Sequence, residues 1–542
     1  MTNPHGVIDP MDGPALAFAG RIVTMNAARS VIKDGVVYIA KGAIVAVQER
    51  NKQAPSGFDA GQVIETSGTI FPGLIELHNH VVYNALPLWR VPGTFTDRNK
   101  WAGLAEKRKR VTAPMAVLAG TPDILPAVAR YVECKCLFGG TTTTQGFRLN
   151  NAGGQVRYYR GLVRNVEQTG DPALPIAGGQ IPDVAKKDAS QFLQKLESKK
   201  WPCYFLHLSE GTDEATRKHF TDLELPNGWA ITSILAGIHA TALQPKDLHV
   251  LRQKGAAVVW SPLSNLVLYG DTMRIKSARS EQLRIGLGSD WSVSGSKNLL
   301  GELKVARLVG ADLDAGFSDA DLVAMVTSEA AKILHWDAVL GSLEAGKRAD
   351  FLVVKIADQD PYGGLLDARE TDIQLVVING VPRLGTATLM KKAGFEDTEK
   401  VSIGSAERRL HLEQKDVDAA VGKITFDAAH DTLKDALHDL PELAKKVDAK
   451  RHGAVAVDQE QWHIALDEMA TGDFESGTDP AAEGALGQLS ALGLGAQTLQ
   501  SLVSPIVLDP ATVADDSNFF DTIDQQLNLP SYLKTGLRQA YA

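Results

Sequence analysis

Residues 16–48 read as short strands: Arg21-Ile22-Val23-Thr24-Met25, Gly35-Val36-Val37-Tyr38-Ile39 and Ala43-Ile44-Val45-Ala46-Val47 are apolar runs punctuated by Gly, Asp and Asn. A second set follows much later, in Asp350-Phe351-Leu352-Val353-Val354 and in Asp372 to Ile378, with Asn379-Gly380 as a turn before Pro382-Arg383-Leu384. Strand-rich segments at 1–70 and 341–395 that flank a long middle are expected to pair into one β-sandwich. Between them the pattern changes. Helix-like stretches at 121–138, 190–199, 244–254 and 277–283 each precede a short apolar run, and this alternation over 71–340 predicts an α/β, (β/α)8 TIM-type barrel. Its third and fourth strands fall somewhere in 160–185. From 396 onward, Val417, Val421, Ile424 and Ala428, then Phe426, Ala429, Leu433, Leu437 and Leu440, recur at helical spacing. An Ala/Gly/Leu-rich stretch (480–500) and a last helical segment complete a mostly helical C-terminal extension, 396–542.

In such barrels the chemistry sits where strands end, so polar residues closing apolar runs are the ones to examine. The run Gly73-Leu74-Ile75-Glu76-Leu77 ends in His78-Asn79-His80, and positions i and i+2 of a strand share a face. Cys203-Tyr204-Phe205-Leu206 ends in His207-Leu208-Ser209-Glu210. Further runs end in His239, in Ser261-Pro262-Leu263-Ser264-Asn265 and in Ser289-Asp290. His78, His80 and His207 supply three imidazoles and Asp290 an anionic oxygen, a donor set for a divalent metal with a position left for water. Such a metal lowers the pKa of bound water to roughly 7. Glu210 could shuttle protons to a leaving nitrogen, and His239 could polarise the substrate or orient the nucleophile. Arg148 is a candidate clamp for a substrate carboxylate, with an ordinary surface arginine as the plainer alternative. Trp89 and Trp291 could stack on a planar ring or pack in the core. Asn265 could touch substrate or fix its loop. The run Glu106-Lys107-Arg108-Lys109-Arg110 reads as a solvated helix face.

The remaining composition narrows the field. A net charge of −9 with interspersed signs gives no surface for nucleic acid or an anionic membrane. Three cysteines in 542 residues exclude a disulfide framework, and the Cys134/Cys136 pair reads as packing. Met1 to Pro14 shows no secretory pattern, and no apolar run reaches membrane-spanning length, so the cytoplasm is the default expectation.

The segments Phe71 to His80, His207 to Glu210, Ser261 to Asn265 and Leu287 to Asp290 together resemble the amidohydrolase superfamily. Gly341-Ser342-Leu343-Glu344-Ala345-Gly346-Lys347-Arg348-Ala349-Asp350-Phe351 resembles its return to the β-sandwich. The branch most resembled is the mononuclear one, with cytosine, guanine and adenosylhomocysteine deaminases and triazine hydrolases. The resemblance spans about residues 16–385. It implies one divalent metal, zinc first with iron and manganese compatible, held by His78, His80, His207 and Asp290, with Glu210, His239 and Asp290 as catalytic groups. It also implies a small-molecule substrate and a family habit of forming homo-oligomers. Two departures stand out. The binuclear branch needs a lysine ending the fourth strand, where only Lys186 and Lys187 come near, and Trp291 follows the metal aspartate where smaller residues are usual. The expected activity is hydrolysis of a non-peptide carbon–nitrogen bond in a small, cyclic molecule by metal-bound hydroxide. The alternatives are a binuclear amidase or cyclic-imide hydrolase, and an inactive scaffold that uses its helical extension for assembly.

Overall fold

Eight short parallel strands succeed one another in chain order: Leu74–Ile75, Thr141–Thr144, Arg164–Asn165, Gly178–Gln180, Tyr204–Leu208, Leu235–His239, Ala257–Trp260 and Arg284–Leu287. The computed structural model describes residues 13–357, 360–452, 460–467, 477–478 and 497–542. Most of the Ala/Gly/Leu-rich stretch and nearly all of Met1 to Pro14 lie outside these described residues.

The first three strands form one parallel ladder and the last five another. Two seams join them. Ala177 N–H donates to Val166 O (2.8 Å) between the third and fourth strands, and Leu77 N–H donates to Leu287 O (3.3 Å) between first and last. Asp290 N–H to His78 O (3.0 Å) extends the second seam to the strand ends. This is a TIM-type barrel arrangement. It departs from strict alternation twice: only the strands Arg148–Asn150 and Gln155–Tyr158 lie between Thr144 and Arg164, and no helix separates Asn165 from Gly178. Gly170, Pro172 and Pro175 occupy that stretch, and proline removes the amide a helix needs.

The flanking segments were expected to pair into one β-sandwich, and they do pair. Their hydrogen bonding runs through one nine-stranded sheet, in which Val63–Pro72 from the N-terminal part pairs antiparallel with Phe351–Val354 from the later part. The sheet also reaches past residue 395. Glu399–Ile403 and Ala406–Leu410 form a hairpin whose Leu410 faces Leu384, so the extension opens as sheet edge before it turns helical. Among the described residues no single helix is long and apolar enough to cross a membrane.

Beyond the hairpin, the helix Phe426–His438 buries Phe426, Ala429, Leu433, Ala436 and Leu437, one helical stripe. Thr425 caps it through Ala428 N–H (3.2 Å). The stripe packs on the barrel helix Leu125–Phe138, where Phe426 stacks on Tyr131 at 5.6 Å. Full burial of each large side chain contributes about 1.5–3 kcal/mol, so the extension is bound as core rather than appended.

Candidate active site

All the expected ligands meet at the C-terminal end of the barrel. His78 stands 4.9 Å from His80, 4.8 Å from His207 and 5.1 Å from His239, ring centre to ring centre. Ligand atoms of His78, His80 and His207 lie within 4.8 Å of one another, as do those of His78, His239 and Asp290 and those of His207, Glu210 and His239. Strand alternation turns Asn79 away from the two histidines, toward Ser289 and Asn84. At Gly288 a Cβ would lie 2.6 Å from His78 O, so the last strand reaches the first only through glycine. His239 and Asp290 then leave their strands in the left-handed region, at φ 65° and 67°, a sharp turn stored at the site itself.

Hydrogen bonds fix which way each imidazole is polarised. Asn79 N–H donates to Gln145 Oε1 (3.1 Å), so the atom 3.0 Å from His78 Nδ1 is an acceptor and Nδ1 carries the proton. His78 Nε2 is therefore a lone pair. It is buried, makes no hydrogen bond among the described residues, and lies 3.1 Å from Asp290 Oδ1. His80 Nδ1 donates to Asp467 Oδ2 (2.9 Å), so in the neutral ring Nε2, 3.7 Å from the same Asp290 oxygen, is the lone pair; burial lowers this imidazole's pKa, but Asp467 and then Asp290 outweigh it and raise it. Burial and its neighbouring imidazoles push His207 well below its ordinary pKa, so it is neutral. Burial would raise the Asp290 carboxyl, but the imidazole cluster, His78 foremost, outweighs it and holds the group below the usual carboxylate range. With His78 and His80 neutral, their lone pairs and the carboxylate converge on one point, where a cation would take the place of the imidazole protons. The donor set fits a divalent metal.

His239 is polarised the other way. The Trp260 indole, a donor only, bonds to Thr272 Oγ1 (2.8 Å); Thr272 donates to Asn265 Oδ1 (3.2 Å); Asn265 Nδ2 donates to His239 Nδ1 (2.9 Å). The proton of His239 is thus on Nε2, facing Glu210 Oε2 at 3.9 Å and Asp290 Oδ2 at 4.0 Å. Burial depresses this imidazole to about 3, so it offers a neutral N–H donor to the centre. Two further chains begin at indoles. Trp101 Nε1 donates to Tyr269 Oη (2.8 Å), whose hydroxyl donates to Glu210 Oε1 (2.6 Å). Trp291 Nε1 donates to Ser294, which passes a hydrogen bond through Ser264 to Asp290 Oδ2 (2.6 Å from Ser264). Burial raises the Glu210 carboxyl, while Arg98 Nη1, 3.8 Å away, pulls the other way.

Asn265 therefore touches His239 and lies at its back, an orienting contact. Replacing Asn265 with Ala is expected to lower turnover roughly 10–100-fold, the usual cost of losing an orienting partner, without releasing metal. Steady-state kinetics beside elemental analysis checks this.

A cavity of about 340 Å³ opens over the cluster, lined among others by Tyr83, Arg98, Trp101, Lys107, Trp291 and Asp467. Trp291 thus has both a wall position and a hydrogen-bonding one. Trp89 does not line the cavity; it is buried in the barrel core. Arg148 is neither at the surface nor in the cavity wall: it opens the buried strand Arg148–Asn150. Lys107, expected on a solvated face, is 3% exposed, with its ammonium 5.2 Å from the Trp101 ring. Lys186 and Lys187 are exposed, and the fourth strand ends in Gln180, leaving no lysine there. The sequence reading missed Gln145, Tyr269, Arg98 and Asp467. Of these only Gln145, one position beyond Thr141–Thr144, carried a strand-end signal.

Comparison with known proteins agrees with this geometry. The model of the amidohydrolase family matches residues 208–383. A 5-methylthioadenosine/S-adenosylhomocysteine deaminase of Symbiobacterium thermophilum is 23% identical over 375 residues, 62% of this chain and 84% of its own. An adenosine deaminase from Xanthomonas campestris with bound zinc shares the fold with TM-score 0.52 at 18% identity, covering 71% of this chain and 98% of that one. Atrazine chlorohydrolase from Arthrobacter aurescens, complexed with zinc, does so with TM-score 0.53 at 20% identity, over 68% and 94%. The chain is thus similar to the amidohydrolase family over residues 208–383, in sequence to a 5-methylthioadenosine/S-adenosylhomocysteine deaminase, and in fold to an adenosine deaminase and an atrazine chlorohydrolase.

Proposed function

We propose that this protein hydrolyses a non-peptide carbon–nitrogen bond in a small ring-bearing molecule, releasing ammonia or an amine, with one divalent metal, zinc foremost, held by His78, His80, His207 and Asp290. The observation that carries the reading is the opposed polarity of the imidazoles: two Nε2 lone pairs point to the centre from His78 and His80, and one Nε2–H from His239. A metal bound there supplies the positive charge that ionises water near neutral pH.

The chain's own groups handle the protons. Glu210, raised by burial, takes a proton from the attacking water as its oxygen bonds to the sp² carbon. The same carboxyl then returns that proton to the nitrogen as the carbon–nitrogen bond breaks. Tyr269 holds Oε1, so Oε2, the oxygen facing His239 and Arg98, is the one in play. His239 Nε2–H donates to the oxygen that becomes the new carbonyl or hydroxyl. A wall of Tyr83, Trp101 and Trp291 suits a planar ring, and the cavity volume is at the small end of ligand sites. The absence of a lysine at the end of the fourth strand favours a single metal.

The test joins metal analysis to an ammonia-release screen over aminated heterocycles, triazines and cyclic amides. One equivalent of metal per chain, with activity abolished by a chelator and restored by zinc, is the expected result. Metal-loaded protein inert across the whole panel would overturn the reading.

A further inference from the structure

Two of the groups that hold the histidines, Gln145 on His78 and Asn265 on His239, come from the barrel or its loops; the third does not. The extension returns to the site as the strand His463–Ala465, which pairs antiparallel with Arg148–Asn150, His463 opposite Asn150 and Ala465 opposite Arg148. Ile464 and Leu466 are buried beside it. Two residues beyond the pairing, Asp467 turns its carboxylate into the cavity wall, 2.9 Å from His80 Nδ1.

His80 is the histidine most in need of such a partner. It sits at the start of a turn, Val81–Ala85, after the strand has ended, and its side chain is 13% exposed against 0% for His78. Outside the ligand set its other ring neighbours are Trp291 at 5.6 Å and Tyr83 at 6.4 Å, which restrict the ring but leave its tautomer undecided. An ionised carboxylate can only accept, so it places the proton on Nδ1 and the lone pair on Nε2. It also makes that lone pair a stronger donor.

We propose that Asp467 is a positioning residue, through which the C-terminal extension completes the metal centre and couples metal retention to its own docking. This rests on reading the histidine cluster as a metal site. The extension is then part of the catalytic unit, since removing its strand would free His80 to rotate.

The experiment uses the full-length chain, loaded with zinc and titrated against a chromophoric chelator, as wild type, Asp467→Ala and Asp467→Asn. Asp467→Ala is expected to bind zinc roughly 10–100-fold more weakly. Asp467→Asn, whose amide oxygen still accepts from Nδ1, should fall between the two. Metal-free melting temperatures should agree within about 2 °C, which separates positioning from packing. Wild-type zinc affinity in Asp467→Ala would sink this assignment alone, as would an affinity loss matched by a lower metal-free melting temperature. Wild-type protein that holds no zinc would sink the metal-site reading, and this inference with it.

Discussion

Glu210→Gln is expected to lower turnover by about 10²–10⁴-fold, the span of a general acid–base contribution, while zinc content and melting temperature stay at wild-type values. The substitution is close to isosteric. Its amide oxygen can still accept the Tyr269 hydroxyl, so the Trp101–Tyr269 chain persists. What disappears is a proton that can be given and taken back. Glu210 suits that task because burial raises its carboxyl toward neutrality while Arg98 at 3.8 Å keeps the anion within reach. The measurement is kcat on whichever substrate the ammonia screen identifies, with zinc determined on the same sample. Near-normal turnover would remove Glu210 from the mechanism and leave His239 as the group to examine. Loss of zinc along with turnover would make Glu210 a ligand.

The parts of the site that could be read from sequence are those where one strand carries both its own fold signal and its chemistry. His78 and His80 end an apolar run at period two, and His207, His239 and Asp290 end later runs, so a barrel rule alone points all five inward. The groups that orient them obey no local rule. Gln145 is 67 positions from His78 and Asp467 is 387 from His80; neither lies near its histidine in sequence. Lys107 sits in a charged run that reads as solvated, and only the folded loop shows it laid over Trp101. Asn265 was assigned to substrate or loop because asparagine favours turns, whereas its position is set by a chain that starts at Trp260. The third and fourth barrel strands lie inside the expected window of 160–185, but their bounds were not legible, for a different reason. Arg164–Asn165 and Gly178–Gln180 are two and three residues long and carry no apolar alternation, since tertiary pairing alone makes them strands. The hairpin at 399–410 does alternate, but it follows a break after residue 395 and was grouped with the helices behind it.

Asp509→Ala is expected to destabilise the protein by about 3–5 kcal/mol, the cost of leaving a buried charge without its partner. Asp509 is 1% exposed and lies in the extension, yet its two oxygens accept from two buried lysines of the barrel, Lys135 (2.6 Å) and Lys297. Lys297 keeps Asp516 at 3.0 Å when Asp509 is removed. Lys135 keeps only the carbonyl of Asn84 (2.7 Å), a neutral acceptor. Burial already lowers the Lys135 pKa with Asp509 in place, and loss of the anion lowers it further. A lysine whose folded pKa lies below its unfolded value, roughly 10.4, holds fewer protons folded than unfolded, so stability rises with pH between the two values. The deficit of Asp509→Ala against wild type should therefore narrow as pH climbs toward 10. Denaturant melts at pH 7 and pH 9.5 measure it, and a deficit that is constant or widening would assign the loss to packing. Lys135→Met combined with Asp509→Leu should recover much of the loss, because an apolar pair removes both the charge and its desolvation. Asn84 also bonds to Asn79 Oδ1 (3.1 Å), between the two ligand histidines, so the same substitution is expected to loosen zinc as the extension detaches.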